Sequence, residues 1–318
     1  MELEQRYDCL VHKEGYEKEY FWISGVAVLP IGFMGLIGNL FSIIVFLRRT
    51  FRKEVFYQLL CTLAVFDSIY VLTRVGSFGY YSMACRTHYN EAYHFLLNLL
   101  SDIGLTGSIY TTIIVSLERY LGICHPFFPY RRKICIYLIP IFAVVFCFHL
   151  PQFLDTKYYI SNGTLNFTTR DWNDDKYHVS YYHWANIVVE SVIPISLILL
   201  VNALIIREIW NTPSDIANTT KGIENRPQEA IKTLSIVVTI FLLARFFALI
   251  TNTVIAVYET KKDTFSQHRE ILHSFDVIIQ VFNSSVNFIL YLIVHKYFRH
   301  ELRLIYIACY CKIISKLK

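Results

Sequence analysis

The 318-residue chain is 54% apolar and 17% charged, with a net charge of +5 and a mean hydropathy of +0.40. That balance is too apolar for a water-soluble domain of this size, and the excess is gathered into long blocks. The large partner it implies is a lipid membrane and not a nucleic acid.

Residues 1–21 form a polar segment, with six acids against three bases between Met1 and Tyr20 and no apolar stretch, which argues against a cleaved signal peptide. Seven apolar blocks follow, at 22–47, 55–78, 92–123, 134–153, 184–206, 230–258 and 271–294. Each is long enough to cross the hydrocarbon core as a helix, the one open conformation that satisfies its own backbone there. Arg48, Arg49, Arg52 and Lys53 follow the first block and Arg131, Arg132 and Lys133 the third. By the excess of basic residues on cytoplasmic loops, these ends lie inside and the N-terminus outside. The polar stretch 154–183 is then extracellular, and it carries the glycosylation sequons Asn162-Gly-Thr and Asn166-Phe-Thr. In the tail, 295–318, Lys296, Arg299, Arg303, Lys312, Lys316 and Lys318 outnumber the lone Glu301. It is predicted to be a cytoplasmic amphipathic helix lying on anionic lipid. The predicted fold is thus an all-α membrane protein: a seven-transmembrane helix bundle over 22–294, an extracellular segment before it and an amphipathic helix after the last span.

Polar residues inside such blocks cost several kcal/mol unless they face the bundle interior or a partner. Asn39, Asp67, Ser108, Asn283, Ser284 and Asn287 are of this kind, and together they are expected to form one polar pocket. Its oxygen ligands suit a hard monovalent cation, or equally a hydrogen-bonded network with water. At the end of the third block Ser116-Leu-Glu118-Arg119-Tyr120 runs into Cys124-His-Pro126. An arginine there either alternates between an internal carboxylate and a partner's carbonyls, or anchors the helix by snorkelling to the headgroups. No Ser/His, di-aspartate or His-Glu-x-x-His arrangement points to an enzyme, and no paired discontinuous helices point to a transporter.

Gly35-x-x-Gly38-Asn39, Leu63-Ala-x-x-Asp67, Ser116-Leu-Glu118-Arg119-Tyr120, Pro194 and Asn287-Phe-Ile-Leu-Tyr291 resemble the helix signatures of rhodopsin-like G-protein-coupled receptors. Leu150-Pro-Gln-Phe153 and Asn283-Ser-Ser-Val-Asn287-Phe288 are most similar to invertebrate FMRFamide-type neuropeptide receptors. The resemblance implies a plasma-membrane receptor for an extracellular peptide, or in a diverged or chemosensory relative a small molecule, that acts on a heterotrimeric G-protein. It implies that Glu118 holds Arg119 in the inactive state, that Glu118, Arg119, Tyr120 and Tyr291 form the coupling end, and that the pocket around Asp67 holds a sodium ion.

The chain also departs from that pattern. The helix-three cysteine position falls at His94, and 154–183 has no cysteine. Of the eight cysteines only Cys9 and Cys85 are placed outside, either bridged or free. Cys309 and Cys311 are candidate palmitoylation sites, or lie unmodified on the tail helix. Ala244-Arg245-Phe-Phe247 stands where the family has a Trp and a kinking Pro, and Phe288 replaces the helix-seven proline. Both helices should therefore bend less. Of the charges left at membrane depth, Arg74 is predicted to pair with Asp102 and Arg245 with Glu190. Asp276 is left to receive a ligand cation such as the arginine of a peptide ending in Arg-Phe-amide, or to rest at the water interface.

Overall fold

The computed structural model describes residues 26–83, 91–124, 133–154, 156–161, 164–169, 184–211, 226–261 and 266–317. Within them lie helices α1 (Val28–Phe46), α2 (Val55–Met83), α3 (Glu91–Cys124) and α4 (Ile134–Leu154). An antiparallel hairpin of β1 (Thr156–Ser161) and β2 (Thr164–Thr169) follows. A π-helical turn at Val188–Val192 leads into α5 (Ile193–Asn211), and α6 (Arg226–Lys261), α7 (Ser266–Val294) and α8 (Lys296–Leu317) complete the order. Seven stretches of these helices are long and apolar enough to cross a membrane, from Val28–Phe46 through to Ile271–Val294.

The bundle is polar inside and apolar outside. On α1, Phe33, Met34, Ile37 and Leu40 are exposed, whereas Gly35, Gly38, Asn39 and Ser42 are buried. Phe275, Phe282, Ile289 and Ile293 form the corresponding outer stripe of α7. Their spacing of seven, seven and four keeps one helical face toward lipid. Helix α3 is the central post, packed on α2, α4 and α5 and touching α6. Its approach to α2 depends on a missing side chain, since a Cβ on Gly104 would stand 2.7 Å from the backbone nitrogen of Tyr70.

The ends of α7 and α8 are fastened through side chains. The Phe298 backbone N–H donates to His295 Nδ1 at 3.3 Å, so His295 caps α8. That bond leaves the ring proton on Nε2, which donates to the Tyr57 hydroxyl at 3.1 Å. Arg299 Nη1 bonds the carbonyls of Leu292 and Ile293 at 2.9 and 2.7 Å, satisfying acceptors that the end of α7 leaves open. Phe46, Phe51, Tyr57, Tyr291 and Phe298 pack above this joint, with Phe51 and Tyr57 4.6 Å apart between ring centres. Glu301 of α8 accepts from Arg48 and Thr50 at 3.3 and 2.7 Å, which ties the tail helix to the turn after α1.

Two features differ from the sequence expectation. The helices α2, α5, α6 and α7 run beyond their apolar blocks, as Arg226–Lys261 and Ser266–Val294 show, because polar flanks continue the helix past the lipid. The stretch expected as a plain loop contains the hairpin, in register from Thr156 opposite Thr169 to Ser161 opposite Thr164. Its Thr- and Tyr-rich segments have high strand propensity, and the two residues joining them are Asn-Gly, the strongest short hairpin signal.

Gly104→Ala is expected to push α2 off α3 at a cost of about 1–3 kcal/mol, the range for overpacking. Thermal melting of the purified protein in detergent should fall by several degrees. Gly122→Ala, where an added Cβ meets nothing within 4 Å, should leave the midpoint unchanged or slightly raised.

Candidate functional site

The polar residues of the interior fall into three layers, each built by a different helix set. In the middle layer Asp67, fully buried on α2, accepts from Ser108 Oγ of α3 at 2.7 Å and from Asn287 Nδ2 of α7 at 2.8 Å. Ser284, one helical turn before Asn287, lies within reach of the same carboxylate. The Ser284 backbone carbonyl accepts from Asn39 Nδ2 of α1 at 3.0 Å. Four helices therefore meet at two acceptors. Asn39 Oδ1 is buried and has no hydrogen-bond partner among the described residues. Asn283 is only partly buried and makes none of these bonds, which separates it from the set that sequence grouped around Asp67. At α-helical spacing it points about 100° away from Ser284.

The second layer lies toward the hairpin end and is charged. Arg74 Nη2 and Asp102 Oδ1 form a salt bridge at 3.4 Å between α2 and α3. The expected side-chain pair of Arg245 with Glu190 takes another form. Arg245 Nη1 donates to the backbone carbonyl of Glu190 at 3.4 Å, while the Glu190 carboxylate accepts from Thr106 Oγ1 at 2.9 Å. The local backbone explains this. Pro194 has no N–H, so the Glu190 carbonyl four residues earlier lacks its α-helical donor. The turn widens to a π-helix in which the Ile193 N–H bonds Val188. Two carbonyls of this turn are then taken by neighbouring helices, Val189 by Tyr110 OH at 3.0 Å and Glu190 by Arg245.

Thr106 links this layer to α4. With its proton given to Glu190, its oxygen accepts from His149 Nε2 at 2.9 Å, which fixes the His149 tautomer. His149, which belongs to none of the sequence motifs, is 4% exposed and part of a three-helix chain of bonds. Asp276 on α7 accepts from Gln280 Nε2 at 3.3 Å. No cation lies within ion-pair distance of Asp276 among the described residues, yet Arg245 and then Arg74 are the positive charges that act on it. Asp276 is thus not as remote from cations as the pairing scheme supposed.

The third layer is the opposite end of α3. Here Glu118 accepts from Tyr137 OH of α4, and the Arg119 guanidinium lies flat on the Phe56 ring, 3.1 Å from its centre. No Glu118–Arg119 ion pair forms, contrary to the expected holding contact. Adjacent helical residues point about 100° apart, so Arg119 turns toward α2 while Glu118 turns toward α4. Arg119 Nε is buried without a hydrogen-bond partner among the described residues. Tyr291 stands 1% exposed in the aromatic cluster behind it, and Tyr120 is partly buried.

Cys9, Cys85 and Asn162 lie outside the described residues, as does any pairing between the two cysteines. Asn166 is on β2, and Cys309 and Cys311 are on α8. The residues that sequence reasoning missed, Thr106, Gln280, Tyr137 and Phe56, are ordinary helix residues whose roles follow only from which helix they face.

The family described as "7 transmembrane receptor (rhodopsin family)" matches residues 38–291. An FMRFamide receptor of Drosophila melanogaster is 29% identical over 307 residues, covering 90% of this chain and 54% of the relative. An FMRFamide peptide receptor, frpr-18, of Caenorhabditis elegans is 24% identical over 201 residues, covering 58% of this chain and 46% of the relative. A tachykinin-like peptides receptor of Drosophila melanogaster is 26% identical over 171 residues, 51% of this chain and 32% of the relative. The chain spans about half the length, or less, of these curated relatives.

Pro194→Ala supplies the N–H that Glu190 lacks. The new helix bond competes with Arg245 for that carbonyl, so the variant should melt several degrees lower in detergent even though alanine is the better helix former. An unchanged or higher melting temperature would show that the Arg245 bond does not depend on the proline.

Proposed function

Because the chain belongs to the rhodopsin family of seven-transmembrane receptors, we propose that it is a plasma-membrane receptor for an amidated neuropeptide of the FMRFamide class and that it activates a heterotrimeric G-protein. The observation that carries the ligand class is the likeness to FMRFamide receptors over nearly the whole chain. Acids concentrated in the hairpin-end layer support it. Asp102, Glu190 and Asp276 outnumber Arg74 and Arg245 there, so the layer favours an added cation. In this reading the N-terminus and the hairpin are extracellular, and the arginine of the peptide is received by Asp276, whose second oxygen is not used by Gln280.

At the cytoplasmic end Arg119 carries the coupling. Its stack on Phe56 is worth about 0.5–2 kcal/mol, weak enough for a partner's carbonyls to outcompete. Glu118 is already occupied by Tyr137, so releasing Arg119 breaks no ion pair. Asp67, Ser108, Ser284 and Asn39 suit a sodium ion, being oxygen donors of hard character with Asn39 Oδ1 free to accept. A cation there would neutralise the one carboxylate that joins α2, α3 and α7, and so favour the conformation in which those helices stay together.

Cells expressing the chain with a promiscuous G-protein should respond to amidated peptides ending in Arg-Phe, and Asp276→Asn should lower their potency roughly 10- to 100-fold. Silence across the panel with the protein at the cell surface would remove the peptide assignment; unchanged potency would remove Asp276 from it. Replacing choline by sodium in the medium should lower agonist affinity severalfold, and Asp67→Asn should abolish that difference in a radioligand assay.

A further inference from the structure

The floor of the charged layer carries hydrogen-bonding capacity that no side chain uses. Arg245 is 1% exposed and spends one donor on the Glu190 carbonyl; its Nε and Nη2 have no partner among the described residues. Gln280 is 2% exposed, and its Oε1 is also unpartnered. The orientation of that amide is settled by its neighbour. Asp276 as a carboxylate only accepts, so Gln280 must turn its nitrogen toward Asp276 and its oxygen away. Asp276 is also the anion that acts most strongly on Arg245. Arg245 of α6 and the Asp276–Gln280 turn of α7 therefore stand on adjoining helices close enough for their charges to act on each other, with two buried donors and one buried acceptor left over among the described residues. Such groups are costly in a membrane interior and call for a ligand group of matching pattern.

We infer that Arg245 and Gln280 read the primary carboxamide at the end of the peptide, with Arg245 donating to its carbonyl oxygen and Gln280 Oε1 accepting from its –NH2. The alternatives fit less well. A carboxylate would satisfy Arg245 but would set a third negative charge beside Asp276 and Glu190, and would face the Gln280 oxygen with another acceptor. An ammonium would satisfy Gln280 but would meet the guanidinium. A hydroxyl has one proton and uses only part of the set. A carboxamide offers one acceptor, two N–H groups and no charge. Because Asp276 and Gln280 are one helical turn apart, a terminal amide at Gln280 also keeps the preceding arginine beside Asp276.

The inference rests on the peptide assignment above, and the test separates the two. Phe-Met-Arg-Phe-amide and its free acid are applied to cells expressing the full chain, with receptor at the surface measured by an epitope tag. The amide should be at least about a hundredfold more potent, because a site built around a hydrogen-bonding group rejects the analogue that cannot make the bonds. Gln280→Met, of similar size but without the acceptor, should lower the potency of the amide about tenfold and leave the acid unchanged, compressing the ratio. Gln280→Glu, which keeps an acceptor, should retain the preference. Equal potency of amide and acid on the natural chain overturns the inference and leaves the peptide assignment standing. A Gln280→Met effect equal on both peptides also overturns it, since a merely structural role moves both together. Silence of both peptides overturns the peptide assignment and this inference with it.

Discussion

The bundle depends on the Asp67 carboxylate. Lipid offers nothing to a polar group, so a fully buried acid must find its partners within the protein, and here they come from α3 and α7. Asn39 adds α1 by bonding the Ser284 carbonyl, one turn from Asn287. Helices α1, α2, α3 and α7 are held by polar bonds as well as by packing, and between them they leave little room, as the Gly104 contact with Tyr70 and the approach of Gly38 to Phe288 show. Helices α4, α5 and α6 are attached mainly through α3, α7 and a few long-range bonds. The helices thus fall into two halves that differ in how they are held.

What connects the two halves is the charged layer. Family members place a tryptophan and a proline where this chain has Arg245 and Phe247, and a bend in α6 where this chain has an unbroken helix. The backbone is irregular just before α5, where Pro194 opens the turn at Val188–Val192 and offers its carbonyls to Tyr110 and Arg245. Arg245 stands at the tryptophan's place in that pattern. It ties α6 to the turn before α5 by a hydrogen bond and to α7 by charge.

The seven spans, their order and the grouping of Asn39, Ser108, Ser284 and Asn287 around Asp67 were legible in the sequence, though not the separation of Asn283 from them, because a membrane enforces a simple rule on length and hydropathy and makes each buried polar residue conspicuous. Partner choice was less legible. Arg74 and Asp102 were paired correctly because both lie at one depth on adjacent helices. Arg245 and Glu190 were matched by charge, yet the bond that forms is to the Glu190 carbonyl, which only the missing N–H of Pro194 could have announced. Glu118 and Arg119 are adjacent in sequence and face different helices, so their separation follows from helical geometry and was in principle available. His149 could not be placed from sequence, since nothing local says that Thr106 faces it. The hairpin was missed because hydropathy marks 154–183 only as polar, although the Asn-Gly link and the strand-prone Thr, Tyr, Ile and Phe residues on either side of it carried the signal.

The absence of helix-breaking prolines in α6 and α7 constrains how any signal can travel. Phe288 retains the backbone N–H that a proline would lack, and α7 runs without interruption from Ser266 to Val294. An unbroken α6 cannot hinge at its middle, so a movement at the Arg119 end requires the whole rod to tilt or slide. Such a rod pivots where it is held, and among its described polar contacts the tie at Arg245 is a single bond of 3.4 Å. A group that gives Arg245 better acceptors removes the reason for that bond and shifts the pivot. At the far end the stack of Arg119 on Phe56 resists, beside the packing of Val238 and Phe241, and the stack's strength of about 0.5–2 kcal/mol corresponds to a population change of roughly 2- to 30-fold. One or two well-placed hydrogen bonds to Arg245 supply free energy of that order, which is the leverage that the proposed switch would need with α6 and α7 unbroken.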